Sequence, residues 1–466
     1  MDNTSLDILT ISNSKRSIYY FLGTLVVAIG LTFLVRKPSF TDSQLYVLFL
    51  VFFSIGLWIT EAIPPFAVSL FILAYLVFTM GNPHLNDAPE KIDKYVNTFS
   101  SSVIWLLLGG FFMSASMSKT GLDRSLLKLT LKIPGRKPQN ILLALMATTM
   151  FASMIMSYSA TAAMVIAAIL PLLSALGKSE KSKALLLGIS ISAAIGGMGT
   201  IIASSTNAVA AGLLEKSDVK IDFWSWMLYG IPVAFVLNAI CCFVLVRLYI
   251  RDAQPVSLSF LAENKVQVEP SLHVQRIIVL AVIIVTVLFW LTTSIHGITV
   301  AAISAIPIVI LTVTGVLTAH DIRVLPWDTL FLVAGGLSLG VAIESASILD
   351  HYSYLLTSIK MSPLFFLLLL AYLTMFLSNF MSNIASCMLI IPLGMTMIPE
   401  WKTEVGMTVG LAASAGLFLP VSTPPNVICY STGLLKQKDF RIGGVIVGLL
   451  GPLLIVLWVW LLRSIR

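Results

Sequence analysis

Two apolar stretches of the sequence are each interrupted at their centre by a short polar cluster. The first cluster reads Ser157-Tyr158-Ser159 and the second reads Ser382-Asn383-Ile384. Another serine lies four residues before each cluster, at Ser153 and Ser378. Polar side chains and interrupted helices are tolerated at membrane depth where they are buried in protein or line a cavity. The two clusters therefore predict a substrate pathway near the centre of a membrane protein.

Helix ends at these clusters provide an anion site that needs no basic side chain. A helix that begins after Ser157 or Ser382 directs free N–H groups and the positive end of its dipole at the interruption. Hydroxyl and carbonyl oxygens at the same interruption suit a small hard cation such as Na⁺. Pro424-Pro425 lacks N–H groups and fits an unwound stretch within a later span. The predicted chemistry is recognition of an anion together with a cation.

The composition identifies the broad class of protein. Of the 466 residues, 58% are hydrophobic and only 11% are charged, which is more apolar surface than a soluble fold can bury. The apolar runs are continuous rather than alternating, which indicates helices instead of an outer-membrane barrel. The sequence therefore predicts an all-α polytopic protein of the lipid bilayer.

Other classes of function receive little support from the sequence. The net charge of +7 comes from basic residues in the loops between spans, so it does not indicate nucleic acid as a partner. The four cysteines lie in apolar surroundings without metal-ligand spacing. No metalloprotease, P-loop or catalytic-triad motif is found. We therefore expect neither an enzyme nor a cofactor, with Na⁺ considered only as a coupling ion.

Eleven spans and two further apolar pairs are predicted along the chain. Basic residues flank the pair at 139–176 on both sides, so both of its ends should be cytoplasmic and the pair should form a re-entrant hairpin. The pair at 363–399 lacks basic flanks and should enter from outside. This topology predicts a multi-pass protein of the plasma membrane with a cytoplasmic N-terminus. The eleven spans lie near 18–35, 44–60, 66–80, 102–118, 184–214 (broken), 226–249, 273–293, 297–317, 327–348, 405–435 (broken) and 442–462.

Three landmarks recur in the same order in the two halves of the chain. Gly109-Gly110 recurs as Gly335-Gly336, each pair is followed 47 or 46 residues later by the serine of a polar cluster, and Asn207 recurs as Asn426. Because the hairpins enter from opposite sides, the pattern predicts an inverted-topology repeat with a site near the membrane midplane. The predicted divisions are N-terminal scaffold helices at 1–101, a first repeat at 102–250, a linker with scaffold helices at 251–326 and a second repeat at 327–466.

Two acidic residues lie in or beside predicted spans. Glu344 is inside a span but near its outer end, and a helix-terminal or snorkelling role is favoured over a functional one. Glu61 precedes Pro64-Pro65 at a span boundary and is interpreted as part of a structural turn rather than as an ion-handling residue. His320 and His351 are expected in loops.

Four motifs together form a specific signature. They are Trp58-Ile59-Thr60-Glu61-Ala62-Ile63-Pro64, Lys119-Thr120-Gly121-Leu122, the two polar clusters, and Leu419-Pro420-Val421-Ser422-Thr423-Pro424-Pro425-Asn426. Over nearly its whole length the chain resembles the divalent anion/sodium symporter family, the INDY-like di- and tricarboxylate transporters of solute carrier family 13. The resemblance implies an elevator mechanism with a transport domain that carries the hairpins. It also implies a homodimer held together by a scaffold domain.

The resemblance also implies roles for individual residues. At the second cluster, Asn383 would bind a carboxylate of the substrate. The second sodium site would be formed by Ser378, Ser382, Asn383 and the backbone near Ser422. The candidate substrate-binding residues are Ser157, Tyr158, Ser159, Ser204, Ser205, Thr206, Asn207, Ser382, Asn383, Ile384, Thr423 and Pro424.

The first cluster departs from the family pattern. Tyr158 and Ser159 stand where the family has Asn and Thr, and Ala203-Ser204-Ser205-Thr206 replaces a Gly-Thr-Pro-Pro stretch. A phenol cannot replace an amide oxygen as a sodium ligand. The first sodium site, implied at Ser153, Ser157 and Ala203, is therefore weakened unless the neighbouring hydroxyls compensate.

The implied function is secondary active transport of C4 and C5 dicarboxylates, of the succinate, malate, fumarate or 2-oxoglutarate type. The weakened first sodium site favours sodium-independent exchange. The alternatives are sodium-coupled symport and a carrier of sulfate or another oxyanion. A channel is disfavoured because two hairpins of opposite entry suit alternating access better than a continuous pore.

Overall fold

A computed structural model describes residues 3–86, 89–123, 125, 137–250, 270–348 and 361–465, and these contain helices and no strands. Nine helices in these ranges are long and apolar enough to cross a membrane, and four shorter apolar helices accompany them. The expected all-α polytopic fold is thus confirmed. The count differs from the eleven predicted spans because both arms of the first hairpin qualify by length, whereas the broken helices and the short helices Pro65–Met80 and Val300–Val313 do not.

The helices follow one another along the chain with short connections where the structure describes them. They are α1 (Asn3–Val35), α2 (Asp42–Thr60), α3 (Pro65–Met80), α4 (Asp93–Val96), α5 (Ser102–Thr120), α6 (Pro138–Ile155), α7 (Tyr158–Leu176), α8 (Glu180–Gly196), α9 (Ser205–Lys216), α10 (Phe223–Tyr249), α11 (Pro270–Leu291), α12 (Thr293–His296), α13 (Val300–Val313), α14 (Ala319–Arg323), α15 (Trp327–Ser345), α16 (Pro363–Leu377), α17 (Asn383–Met397), α18 (Lys402–Ala412), α19 (Pro424–Ser431) and α20 (Phe440–Ile465).

Both predicted hairpins turn at their polar clusters. α6 and α7 meet at Ser157, whose side chain caps α7 by accepting from the Ala160 backbone N–H at 3.5 Å. α17 starts after Ser382, which accepts from the Ala385 N–H at 3.2 Å. A serine at this position satisfies one N–H that the first turn of a helix leaves unpaired. The polar clusters are therefore helix starts, as their sequence predicted.

The two predicted broken spans are also interrupted in the structure. α8 and α9 are separated by a short 3₁₀ turn at Ile201–Ala203, and α18 and α19 by a 3₁₀ turn at Ala413–Ala415 followed by an irregular segment. Glycine allows each interruption to lie directly on a hairpin. A Cβ on Gly196 would lie 2.9 Å from Ser153 Cβ, and one on Gly416 would lie 2.9 Å from Ser378 Cβ. The same close approach thus occurs in both halves.

The duplicated glycine pairs mark where the two halves cross. Gly109 of α5 packs on Ser304 of α13, and Gly335 of α15 packs on Ser69 of α3. Each helix thereby lies against a helix of the other half, α5 with α13 and α3 with α15. This exchange of partners joins the halves into one helical body.

A further repeat, which the sequence reasoning missed, joins α2 and α11. The end of α2 and its C-cap read Trp58-Ile59-Thr60-Glu61, and the end of α11 leads into α12 through Trp290-Leu291-Thr292-Thr293. Both tryptophans are buried, and both following threonines donate to the carbonyl four residues earlier, at 2.7 and 2.8 Å. The repeat therefore extends to helices outside the hairpins and broken spans.

Candidate functional site

Both hairpin tips and both broken helices converge on one cavity of about 630 Å³. Residues from the end of α2, from α5 and from the start of α15 complete the wall. The lining residues are Ile59, Thr60, Glu61, Phe111, Ser157, Tyr158, Ser159, Ile202, Ala203, Ser205, Thr206, Pro326, Thr329, Asn379, Phe380, Met381, Ser382, Asn383, Ile384, Val421, Ser422 and Pro424.

Most of the candidate substrate-binding residues lie on this cavity. Those that line it are Ser157, Tyr158, Ser159, Ser205, Thr206, Ser382, Asn383, Ile384 and Pro424. Ser204, Asn207 and Thr423 are buried behind the lining. Of the candidate sodium ligands, Ser157, Ala203, Ser382, Asn383 and Ser422 line the cavity, and Ser153 and Ser378 lie beneath it.

Four helices begin at the cavity wall. Their first residues are Tyr158 of α7, Ser205 of α9, Asn383 of α17 and Pro424 of α19, and all four line the cavity. Each helix N-terminus carries about half a positive charge, so four of them supply about two positive charges in total. An anion site of this kind needs no lysine or arginine.

The first hairpin tip holds a network of hydroxyl groups. Ser157 Oγ and Ser159 Oγ lie 2.7 Å apart. The Tyr158 hydroxyl makes a polar contact with the Ser204 side chain, which also accepts from the Thr206 N–H at 3.3 Å. Tyr158 therefore reaches from the hairpin to the start of α9.

Asn207 and Asn426 bind the unwound backbone rather than facing the cavity. The Asn207 side-chain N–H₂ donates to the Gly197 and Thr200 carbonyls, at 2.6 and 2.8 Å. The Asn426 N–H₂ donates to the Leu417 and Leu419 carbonyls, at 3.1 and 2.8 Å. Carbonyls freed by a helix break need such donors when they are buried. Both amides thus hold the two breaks in shape.

Six buried side-chain oxygens surround the two breaks without a hydrogen-bond partner in the described part of the chain. They are Ser153 Oγ, Thr206 Oγ1 and Asn207 Oδ1 at the first break and Ser378 Oγ, Asn383 Oδ1 and Thr423 Oγ1 at the second. Leaving such a group unsatisfied costs about 1–3 kcal/mol, so a buried polar atom of this kind calls for a ligand, water or ion. Hydroxyl and amide oxygens are suitable ligands for a hard cation.

The structure also places Asn379, which the sequence analysis did not single out, and Glu344, which it did. Asn379 lines the cavity, and its Oδ1 accepts from the Phe418 N–H at 2.8 Å, which ties the second hairpin to the irregular segment. It was overlooked although it directly follows Ser378. Glu344 is exposed near the end of α15 and lines a separate cavity of about 360 Å³ with Lys216 and Lys402.

The other ionisable residues considered from the sequence are two histidines, which do not line the cavity among the described residues, and Glu61, which does. The expectation of a loop was wrong for His320, which is exposed in the short helix α14, and His351 falls outside the described residues. Glu61, interpreted from the sequence as part of a turn, follows α2 directly and lines the cavity. It is the one charged side chain among the lining residues that the structure describes.

Comparison with known proteins identifies the family. The family model described as the sodium:sulfate symporter transmembrane region matches residues 15–464, and the chain belongs to this family. The sodium-dependent dicarboxylate transporter SdcS of Staphylococcus saprophyticus is 27% identical, over 97% of this chain and 93% of its own length. An inorganic phosphate transporter of Saccharomyces cerevisiae is 28% identical, over 80% of this chain and 41% of its own.

A third relative also extends well beyond the region that matches this chain. An uncharacterised transporter of Schizosaccharomyces pombe is 29% identical over 84% of this chain, which spans about half (46%) of that relative. The family resemblance expected from the sequence is confirmed, and this family consists of membrane transporters.

Proposed function

We propose that this protein is a secondary transporter of small dicarboxylates, coupled to sodium ions. The convergence of four helix N-termini on one cavity carries the proposal. Their combined charge of about +2 matches that of a C4 or C5 dicarboxylate dianion such as succinate. Relatives whose name is sodium-dependent dicarboxylate transporter, at 27–28% identity over 97% of this chain, support the same substrate class.

The repeated geometry favours a substrate with two anionic ends. One hairpin tip with its broken helix comes from each half, through Ser157-Tyr158-Ser159 and Ser382-Asn383. A dicarboxylate can present one carboxylate to each half. Asn383 binds a carboxylate through its side-chain N–H₂ and leaves its Oδ1 for a cation.

The sodium site that the buried oxygens support best lies at the second break. Ser378, Asn383 and Thr423 each contribute a buried oxygen that has no partner among the described residues. Ser382 and Ser422 line the cavity above them. A bound Na⁺ would satisfy the orphaned oxygens and help offset the charge of the dianion, which supports coupling of the two.

Sodium-independent exchange is the second candidate, and the first break favours it. Tyr158 contacts Ser204 and brings no amide oxygen to this break. The orphaned oxygens of Ser153, Thr206 and Asn207 nevertheless remain at the same place. Because these oxygens can also bind a cation, we propose sodium coupling rather than the exchange that the sequence favoured.

A transporter of this kind works by alternating access. We propose an elevator movement of the hairpins and broken helices against the scaffold helices, within a homodimer in the plasma membrane. In this structure the cavity is bounded by the end of α2 and the start of α15, and the basic-residue pattern predicts that this face is cytoplasmic.

Uptake of labelled succinate into proteoliposomes tests the proposal. We expect an inward sodium gradient to drive uptake into empty vesicles. Uptake that ignores sodium and requires internal dicarboxylate would replace symport by exchange. Absence of succinate uptake under both conditions, with uptake of sulfate or phosphate instead, would establish an oxyanion carrier, the substrate class named for the Saccharomyces cerevisiae relative.

A further inference from the structure

Glu61 is a carboxylate at the wall of a cavity that is otherwise built to attract anions. It lines the same cavity as the four helix N-termini, and the other described lining residues are uncharged. It has no hydrogen bond or ion pair within the described ranges, and its side chain is exposed. A negative charge here repels an anionic substrate, so its presence calls for an explanation.

Local structure gives no reason for a glutamate at this position. Glu61 caps the C-terminus of α2 with φ 49° and ψ 34°, in the left-handed region that Gly or Asn adopts with less strain. A carboxylate at a helix C-terminus also faces the negative end of the helix dipole. Both effects favour another residue, and strained positions of this kind occur preferentially at functional sites.

The equivalent position in the other half carries no charge. Thr293 follows Trp290 as Glu61 follows Trp58, yet Thr293 has a negative φ and a neutral side chain. Thr293 lines a different crevice, together with Glu215 near the end of α9. Ser205, at the start of α9, lines the substrate cavity.

The two positions are therefore separated along α9, and the predicted alternation of spans puts the ends of α2 and α11 on opposite faces of the membrane. The ten steps along the helix from Ser205 to Glu215 span roughly 15 Å. Glu61 faces the substrate cavity at one end of this distance, and Thr293 faces the crevice at the other. Of the two equivalent positions, only Glu61 thus carries a carboxylate, although Glu215, Lys220 and Asp222 also line the crevice beside Thr293.

We propose that Glu61 is a fixed charge that weakens substrate binding only when the cavity opens on the face where α2 ends. The inference rests on the proposed transport of an anion and adds an asymmetry between the two faces. A round cavity of 630 Å³ measures roughly 10 Å across, which sets the largest distance between the Glu61 carboxylate and a bound dianion. At that distance, and with the nearly aqueous dielectric constant of an exposed carboxylate, the repulsion weakens binding about three- to tenfold. Substrate carried to this face is therefore released more readily than it would be without the carboxylate.

Kinetics measured separately on the two faces test this proposal. The apparent KM for labelled succinate is compared in right-side-out and inverted membrane vesicles for the parent and Glu61→Gln. We expect Glu61→Gln to lower the KM about three- to tenfold on the face predicted to be cytoplasmic and to leave the other KM unchanged. Glu61→Asn provides a second neutral variant that suits the left-handed backbone.

Three further variants sharpen the comparison. Glu61→Asp keeps the charge and should keep the parental asymmetry. Thr293→Glu adds a carboxylate at the equivalent position and should raise the KM on the opposite face. Glu400→Gln removes the charge of an exposed acid that does not line the cavity, and both KM values should stay parental.

The outcomes separate this proposal from the proposed function. Equal KM changes on both faces in Glu61→Gln and Glu61→Asn, or no change on either face, would overturn the role of Glu61 while leaving dicarboxylate transport intact. If the parent carries sulfate or phosphate instead of succinate, the same comparison is made with that anion. A KM change confined to one face would then support Glu61 although the dicarboxylate assignment had failed.

Discussion

Tyr158 and Asn383 occupy the same position in the two halves, as the first residue of the helix that leaves each hairpin tip. The Tyr158 hydroxyl contacts Ser204 of the neighbouring broken helix. The Asn383 Oδ1 is buried and has no partner in the described structure. The two halves therefore share their backbone arrangement and differ in the oxygen that each offers to a cation.

This difference predicts the effect of Tyr158→Asn. The substitution replaces the phenol by an amide oxygen beside Ser153 and Thr206, whose own oxygens lack partners. We expect uptake to depend more steeply on sodium, with a Hill coefficient for Na⁺ that rises toward two. The measurement is initial uptake of labelled succinate over a range of sodium concentrations at constant ionic strength.

Tyr158→Phe is the matched control for that experiment. It removes the contact with Ser204 but supplies no ligand oxygen, so its sodium dependence should match that of the parent. If Tyr158→Asn also responds to sodium like the parent, then Tyr158 does not determine the coupling at the first break.

The two asparagines at the helix breaks give a prediction about stability. Asn207→Ala removes two hydrogen bonds to backbone carbonyls, and Asn426→Ala removes two such bonds and the bond that Asn426 Oδ1 accepts from Ser190 Oγ. At about 1 kcal/mol for each bond, Asn207→Ala should lose about 2 kcal/mol of stability and Asn426→Ala about 3 kcal/mol. Thermal unfolding of the purified proteins in detergent measures this loss. Melting at the parental temperature would mean that water replaces these amides at no cost.

Some parts of this site are predictable from the sequence and others are not. Ser157 and Ser382 interrupt apolar runs and suit helix capping, so their role follows from local chemistry. Asn207 was predicted to bind substrate, and the structure directs its N–H₂ to two backbone carbonyls. A buried amide beside a break serves a ligand or the backbone equally well, and only the three-dimensional path of the chain distinguishes these uses.

Glu61 illustrates a second reason for incomplete prediction. Its place before Pro64-Pro65 correctly indicated the end of a helix. Its position on the cavity depends on how α2 packs against the hairpins, which is a long-range property of the fold. The correspondence between Trp58 and Trp290 was also missed, because one tryptophan and one threonine in apolar helices are too common to reveal a repeat without their equal burial.

An ion pair near the C-terminus should contribute to stability without affecting substrate binding. Arg463 contacts the buried Glu404 at 2.9 Å and lies 3.8 Å from the centroid of the Trp401 ring. Arg463→Met leaves the buried Glu404 carboxylate without this partner, so the free energy of unfolding should fall. Because about a third of the arginine side chain is exposed, we expect a fall of about 2 kcal/mol, which is less than for a fully buried pair.

The double variant Arg463→Met/Glu404→Gln tests this explanation. Neutralising the buried acid should restore part of the lost stability, while the KM for succinate stays parental throughout. Thermal unfolding of the parent, both single variants and the double variant forms a double-mutant cycle. Strictly additive losses would show that the pair contributes no interaction energy.

Asn383→Ala gives the most direct prediction about substrate recognition. Asn383 lines the cavity at the start of α17, and we assign its N–H₂ to a substrate carboxylate. A hydrogen bond to a charged group contributes about 1.5–3 kcal/mol, so kcat/KM should fall about ten- to hundredfold. Because Ser382 and the N-terminus of α17 are unchanged, the variant should fold and melt like the parent. Asn238→Ala is a matched control, since Asn238 is buried in α10, accepts from Ser192 at 2.6 Å and does not line the cavity. That control should lose stability and keep the parental KM, whereas near-normal uptake by Asn383→Ala would remove Asn383 from the substrate site.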